Sequence, residues 1–219
     1  KVFLSTDVIL DIIIWAIIGG ILGARLFYVF FYEPTYYFIR PLEILFFWQG
    51  GASSLGGFVG ALLAIYIFAL KRRFKLKELL PYFDILSLGL WLGWGIGRIG
   101  CFMIHDHPGI LSNFFLAVNF PEGARLDLGL LEVLLTFVIF VIFMSIWKRL
   151  SKRGWGQIFG WSFVVYMVGR FGLDFLRAYD LPFSDHRYLF LTPMQWGIVM
   201  VFCGLTIGKI YSKIAAHKF

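Results

Sequence analysis

The sequence predicts an all-α, polytopic helical membrane protein, and three observations lead to this fold class. The 219-residue chain is 60% hydrophobic and only 15% charged, whereas a soluble domain carries about 25% charged residues. Apolar runs of about 20 residues, long enough to cross a bilayer as helices, recur along the chain. The aromatic content of 20%, with 8 Trp and 10 Tyr, suits the aromatic belts at the two membrane surfaces.

Hydropathy predicts about six transmembrane helices in one domain, residues 1–219. The predicted spans are residues 9–31, 53–70, 82–104, 129–147, 157–176 and 193–211. Glycine pairs at 19–20 and 56–57 fit the small-residue spacing that lets membrane helices pack closely. No internal repeat, linker or low-complexity tract divides the chain.

The basic residues predict the orientation of these spans. Three clusters lie on the same side if every intervening span crosses the membrane: 71–77, 148–153 and 209–218. The excess of Lys and Arg predicts that this side is cytoplasmic. The connecting segments 32–52, 105–128 and 177–192 are then extracytoplasmic.

The composition of the chain and the positions of its polar residues also argue against several function classes. The net charge of +7 is explained by topology and anionic lipid headgroups, so no nucleic-acid partner is expected. Polar residues gather at one end of the spans and not at mid-membrane, which argues against a transporter. Cys101 and Cys203 are isolated and are interpreted as small apolar helix residues, so no metal site is predicted.

Charged and hydrogen-bonding residues within the spans are the strongest functional signal. A charge at a helix centre costs about 2.5–3.5 kcal/mol on insertion scales and commonly marks a functional site. The residues expected at one depth, near the extracytoplasmic end, are Arg25, Arg98, Glu132, Tyr166, Arg170, Asp174 and Arg177. Such an arginine cluster suits the phosphate of a phospholipid, because guanidinium binds phosphate oxygens bidentately. The alternative is a set of snorkelling arginines paired to carboxylates without chemistry.

A histidine-rich segment directly follows the third span. His105 and His107 are candidate catalytic bases because imidazole titrates near neutral pH. Asp106 or Asp127 could orient one of them. The alternative is that the histidines form only a loop cap or an interface pair.

Several ordered motifs resemble those of bacterial prolipoprotein diacylglyceryl transferases. The stretch GRIGCFMIHDHPG at 97–109 is similar to the family signature G-R-x-G-N-F-x-N-x-E-x-x-G. The matching residues are Gly97, Arg98, Gly100, Phe102 and Gly109, with Asp106 at the acidic position. Further resemblances occur at 23–34, 48–64, 125–135, 166–180 and 191–197. The chain is identified on these motifs as a divergent member of the family.

The resemblance implies an enzyme of the bacterial cytoplasmic membrane that needs no cofactor. It implies transfer of the diacylglyceryl group from phosphatidylglycerol to the lipobox cysteine of a preprolipoprotein, at the outer face. Arg98 and Arg170 would contact the lipid phosphate, with help from Tyr166. The remaining wall of the site would be formed by Asp174 and Arg177 and braced by Glu132.

The chain also departs from the family pattern. Leu55 replaces a histidine, Cys101 and Ile104 replace asparagines, and Leu126 and Asp127 replace a His-Pro pair. The family's first helix, which carries a functional tyrosine, would precede Lys1. We therefore expect His105 or His107 to supply the base that position 55 lacks. The alternative is an inactive relative that binds lipid or lipoprotein as a subunit of an envelope membrane complex.

Overall fold

A computed structural model describes residues 5–182, 184 and 187–216, with the backbone alone for residues 54, 55, 76 and 208–216. The α-helices in this part of the chain are α1 (Thr6–Phe31), α2 (Pro34–Ile39), α3 (Ser54–Lys71), α4 (Leu76–Ile104), α5 (Leu128–Ser145), α6 (Trp147–Ser151), α7 (Gln157–Leu173) and α8 (Pro193–Ala216). Short 3-10 helices cover Pro41–Leu45, Phe47–Gln49 and Asp174–Leu176. Three short strands are β1 (Pro108–Leu111), β2 (Ala117–Phe120) and β3 (Gly123–Asp127).

The prediction of a polytopic helical membrane protein is confirmed. Each of the six predicted spans is a helix, and four helical segments are long and apolar enough to cross a membrane: Thr6–Phe31, Lys77–Ile104, Leu128–Ser145 and Gln157–Leu176. The other two are shorter apolar helices, Gly56–Lys71 and Pro193–Ile207. The chain divides into two compact units, of which the first ends at Phe83 and the second begins at Asp84.

In the first unit, glycines bring α1 and α3 into backbone contact. A Cβ atom added to Gly23 would lie 2.6 Å from the Cα of Gly60, and one added to Gly60 would overlap the carbonyl oxygen of Gly19. Side chains larger than hydrogen cannot fit at this crossing, so the predicted close packing at the glycine pairs is confirmed.

In the second unit, Asp84 secures the start of α7. Its side chain is fully buried and accepts hydrogen bonds from the backbone N–H groups of Gly156 (2.7 Å) and Phe159 (2.8 Å). Gly156 has no side chain with which to cap the helix, so a carboxylate from α4 satisfies these donors and complements the helix dipole. The surrounding core includes Trp91 and Ile139.

The segment between α4 and α5 forms a small antiparallel sheet in the order β1-β3-β2. The sequence did not predict it, because its strands are four or five residues long and lack clear apolar alternation. Arg125 fastens the sheet to the segment after α7, since its guanidinium binds both carboxylate oxygens of Asp180 at 2.9 and 2.6 Å. Its Nη1 also donates to the Gly109 carbonyl at 3.1 Å. The hydrogen bond from Arg125 lowers the pKa of Asp180.

Candidate functional site

Glu132 is the centre of the polar residues in the second unit. Its carboxylate is almost fully buried on the first turns of α5. Oε1 accepts hydrogen bonds from Trp94 Nε1 at 3.1 Å and from the Tyr166 hydroxyl at 2.6 Å. Oε2 pairs with Arg98 Nε at 3.0 Å and lies 3.8 Å from Arg170 Nε. Glu132 therefore joins side chains from α4, α5 and α7, and Arg98 also lies over the Trp94 ring at 5.4 Å.

The same ion-pair chain continues to the end of α7. Arg170 Nη1 lies 2.9 Å from Asp174 Oδ1, and Arg177 Nε lies 3.2 Å from the same oxygen. The hydroxyl of Thr192, just before α8, donates to Asp174 Oδ2. The predicted convergence of Arg98, Glu132, Tyr166, Arg170, Asp174 and Arg177 is thus present in the second unit. We call Arg98, Glu132, Arg170, Asp174 and Arg177 the arginine–carboxylate cluster.

Among the described residues of the cluster, three guanidinium groups face two carboxylates. Arg170 is only 4% exposed, and its Nε and Nη1 form ion pairs with Glu132 at 3.8 Å and with Asp174 at 2.9 Å. Three guanidinium groups held together in this way are suited to an anion with several oxygens.

The imidazole ring of His107 contacts Arg98. Its Nε2 lies 3.0 Å from Arg98 Nη1 and 3.7 Å from Asp106 Oδ1. A guanidinium can only donate, so Nε2 must accept and the ring proton must be on Nδ1. Burial lowers the pKa of His107, and the charge of Arg98 lowers it further against the opposing effect of Asp106. The Nε2 lone pair of His107 is therefore already used by Arg98.

His105 pairs with Asp127, the second of the two carboxylates considered from the sequence. His105 Nδ1 lies 2.8 Å from Asp127 Oδ2, and the other oxygen of Asp127 accepts from the Leu130 N–H at 3.1 Å, which caps α5. The carboxylate side chain is fully buried, whereas the His105 side chain is 37% exposed. Asp127 thus fixes a proton on Nδ1 and leaves Nε2 as the acceptor, which is the arrangement of a base with its orienting group.

Arg25 has a different environment from the one expected from the sequence. It belongs to the first unit, where it is 3% exposed, and its five N–H groups face five backbone carbonyls. The acceptors are the oxygens of Ile44 (3.0 Å), Gly50, Gly51 (3.0 Å), Glu43 (2.6 Å) and Phe46 (3.2 Å). Because these carbonyls use its donors, the structure gives Arg25 a role in holding the segment 41–51 and does not support phosphate binding.

Sequence reasoning missed three contributors to the site. Trp94 and Thr192 carry neutral polar groups, so the search for charges in spans passed over them. Cys101 was interpreted as an apolar helix residue, but its Sγ lies 3.6 Å from Arg98 Nη1. Its sulfur, a carboxylate oxygen of Asp106 and a ring nitrogen of His107 all lie within 4.8 Å of one another. The side chain of Leu55, at the position of the family's histidine, is outside the described part of the structure.

Comparisons with known proteins agree with the motifs. The sequence profile of the prolipoprotein diacylglyceryl transferases matches residues 2–215. Among similar proteins, the phosphatidylglycerol–prolipoprotein diacylglyceryl transferase of Brucella anthropi is 34% identical over 205 residues, covering 90% of this chain and 70% of its own length. The enzyme of the same name from Roseobacter denitrificans is 34% identical over 210 residues, covering 88% and 70%. That of Brucella ovis is 32% identical over 219 residues, covering 95% and 75%.

Proposed function

The chain belongs to the prolipoprotein diacylglyceryl transferase family, and we propose that it transfers a diacylglyceryl group from phosphatidylglycerol to a cysteine thiol. The acceptor is the lipobox cysteine in the signal peptide of a preprolipoprotein. The reaction takes place at the outer face of the bacterial cytoplasmic membrane. The positions of the basic clusters on the opposite side of the predicted spans support this orientation.

The observation that carries the proposal is the arginine–carboxylate cluster. Arg98, Arg170 and Arg177 share two carboxylates, those of Glu132 and Asp174, which hold three guanidinium groups close together. A phosphodiester carries one negative charge and four oxygens, and arginine binds such oxygens with geometric specificity. The cluster is therefore suited to the headgroup of an anionic phospholipid.

Transfer requires the cluster to stabilise the leaving group. The cysteine sulfur attacks the glycerol carbon of the diacylglyceryl group that is bonded to the phosphate oxygen, and a thioether C–S bond forms. The C–O bond breaks, its electron pair stays on the phosphate oxygen, and glycerol phosphate leaves. Arginines held in place by Glu132 and Asp174 stabilise this developing charge without reorganising, which is the largest contribution in many enzymes.

A base must accept the thiol proton, and we assign His105 to this role. Asp127 fixes the Nδ1 proton of His105 at 2.8 Å, which leaves Nε2 available. In contrast, the Nε2 atom of His107 already accepts from Arg98 at 3.0 Å. The histidine that the family pattern has at position 55 is absent here, so a base from another segment is required.

The first experiment compares Arg98→Ala with Arg40→Ala in a strain depleted of its own diacylglyceryl transferase. Arg40 is an exposed arginine in the first unit, and its ion pair with Glu43 measures 3.5 Å. Removing one stabilising donor of a developing anion costs about 100- to 1,000-fold in rate. We expect R40A to rescue growth and R98A to fail despite equal amounts in the membrane. Rescue by R98A would overturn the proposal.

The second experiment tests the base with Asp127→Asn. Asparagine is as good a helix cap as aspartate, so the start of α5 is preserved. Its amide N–H would donate to His105 Nδ1, which moves the ring proton to Nε2 and removes the acceptor. We expect kcat for transfer to a lipobox peptide to fall by about 100-fold or more, with KM for phosphatidylglycerol unchanged. Unchanged kcat in both D127N and H105A would refute the assignment.

A second candidate function is favoured by two departures from the family pattern. Leu55 replaces a histidine, and Cys101 replaces an asparagine. This candidate is a protein that binds lipid or lipoprotein as a subunit of an envelope membrane complex without turnover. It predicts that purified protein binds phosphatidylglycerol in an R98A-sensitive way but releases no glycerol phosphate. Release of glycerol phosphate that depends on an added lipobox peptide would exclude it.

A further inference from the structure

Three potential metal ligands meet where α4 ends, and we propose that Cys101, Asp106 and His107 bind a thiophilic divalent cation such as Zn²⁺. Their donor atoms all lie within 4.8 Å of one another, and His107 Nε2 is 3.7 Å from Asp106 Oδ1. Zinc bonds of 2.0–2.3 Å in a tetrahedron separate ligand atoms by about 3.5 Å. The most widely separated donors, within 4.8 Å of each other, therefore need to approach by no more than about 1.3 Å to complete such a site.

The chemistry of the donor set is that of zinc. Sulfur, imidazole nitrogen and carboxylate oxygen are its three protein ligands, and mixed sets with three protein donors are typical of open, catalytic sites. The three residues lie within seven positions of the chain. The turn that joins them is set by His105, whose φ of 52° lies in the left-handed region. The chelate is thus local and does not depend on distant elements.

A positive charge already occupies the meeting point of these donors. Arg98 Nη1 lies 3.0 Å from His107 Nε2 and 3.6 Å from Cys101 Sγ. Arg98 is also held through Nε by Glu132 at 3.0 Å. A metal ion would therefore displace Nη1 of Arg98 and leave Nε paired with Glu132. Metal binding and the Arg98–His107 contact exclude each other.

The site is open to an exchangeable fourth ligand. The Asp106 side chain is 39% exposed and that of His107 is 28% exposed, while Cys101 is half-buried. Three protein donors leave one tetrahedral position, which water fills until a thiol arrives. When a thiol binds, its S–H bond would break, the proton would pass to His105, and a sulfur lone pair would bind the ion in place of water. That the arriving thiol is a lipobox cysteine rests on the proposed function.

The test titrates the chelator-treated full chain, in detergent, with Co²⁺. We expect one equivalent to produce the sulfur-to-cobalt charge-transfer band and the visible bands of tetrahedral Co²⁺, and Zn²⁺ to abolish both. Cys101→Ser removes the charge-transfer band, whereas Cys203→Ser, which changes an exposed cysteine elsewhere, retains it. His107→Ala weakens Co²⁺ binding by at least about tenfold, because it removes a ligand. Absence of the band, or equal behaviour of C101S and C203S, would overturn the site.

A variant that binds Co²⁺ more tightly provides a control, because misfolding can explain weaker metal binding but not stronger metal binding. Arg98→Gln removes the competing charge, so Co²⁺ binding tightens by about tenfold or more. Unchanged or weaker binding in R98Q would contradict the proposed competition. A separate arm adds a lipobox peptide to the Co²⁺-loaded chain, and we expect the charge-transfer band to grow as a second thiolate binds. A band that does not grow would refute the fourth-ligand step alone, and neither result depends on phosphatidylglycerol binding.

Discussion

Replacing Arg25 with lysine distinguishes the two roles that sequence and structure give this residue. The sequence favours a contact with lipid phosphate, whereas the structure shows five backbone carbonyls around the guanidinium. Arg25→Lys keeps the positive charge and much of the side-chain length. It reduces the number of N–H donors from five to three. A phosphate ligand would tolerate this change better than a set of five fixed acceptors would.

The expected loss of stability follows from the two carbonyls that lose their donor. A hydrogen bond from a charged group contributes about 1.5–3 kcal/mol. Two such bonds give a loss of at least about 3 kcal/mol, which shifts the unfolding equilibrium by about two orders of magnitude. The loss falls on the segment 41–51, where the acceptors Glu43, Ile44, Phe46, Gly50 and Gly51 lie.

The assay combines denaturant unfolding in mixed micelles with amide hydrogen exchange of residues 41–51. We expect R25K to unfold at lower denaturant and to exchange faster in this segment. Arg40→Lys is the control because Arg40 is an exposed arginine of the same region. If R25K unfolded like the unchanged protein but raised KM for phosphatidylglycerol, the structural interpretation would be refuted.

Three further predictions concern packing and charge. Glu132→Gln presents an amide N–H to Arg98 Nε and leaves the arginines without their carboxylate, so stability in micelles falls by about 3 kcal/mol. Gly60→Ala forces a Cβ against the backbone of α1 and lowers stability by about 3 kcal/mol, whereas Gly57→Ala, whose Cβ meets its nearest neighbour at 3.5 Å, retains or improves the unfolding midpoint. The pKa of Asp180 is lowered from its ordinary value of 3.8, so its contribution is present at neutral pH and is lost as the pH falls below about 4. Asp180→Asn therefore lowers Tm at pH 7 and shows a smaller further drop at pH 3 than the unchanged protein, and equal drops would contradict the pairing.

The helices were predictable from sequence because a bilayer demands long apolar runs. The spacing of Gly19, Gly23, Gly56 and Gly60 indicated close helix packing, and the structure shows that the two helices that carry them, α1 and α3, pack on each other. The sheet between α4 and α5 was not, because it is held by tertiary contacts. Arg125 fixes it through a carboxylate 55 residues away, and no local periodicity reports such a partner. Short strands of this kind depend on what packs against them.

The charged residues of the candidate site were predictable, because a charge within a membrane span is energetically costly. The contributions of neutral side chains and of backbone carbonyls to the site were not predictable. Arg98, Glu132 and Arg170 stood out because each needs a partner at membrane depth. The role of Arg25 depends on carbonyl oxygens, which every residue has and no sequence pattern distinguishes. His105 pairs with Asp127 and not with Asp106, and this choice depends on the left-handed backbone conformation of His105. The sequence does not indicate such a conformation at a residue other than glycine.

The charge balance of the arginine–carboxylate cluster also bears on turnover. In the proposed reaction, phosphatidylglycerol brings one negative charge, that of its phosphodiester, to the guanidinium groups of the cluster. The leaving glycerol phosphate is a monoester, and such groups carry about −1.5 to −2 charges at pH 7. Its additional negative charge is repelled by the carboxylates of Glu132 and Asp174, which lie among the same arginines. A half-buried site penalises uncompensated charge, so the same carboxylates that hold the arginines in place also favour release of the product.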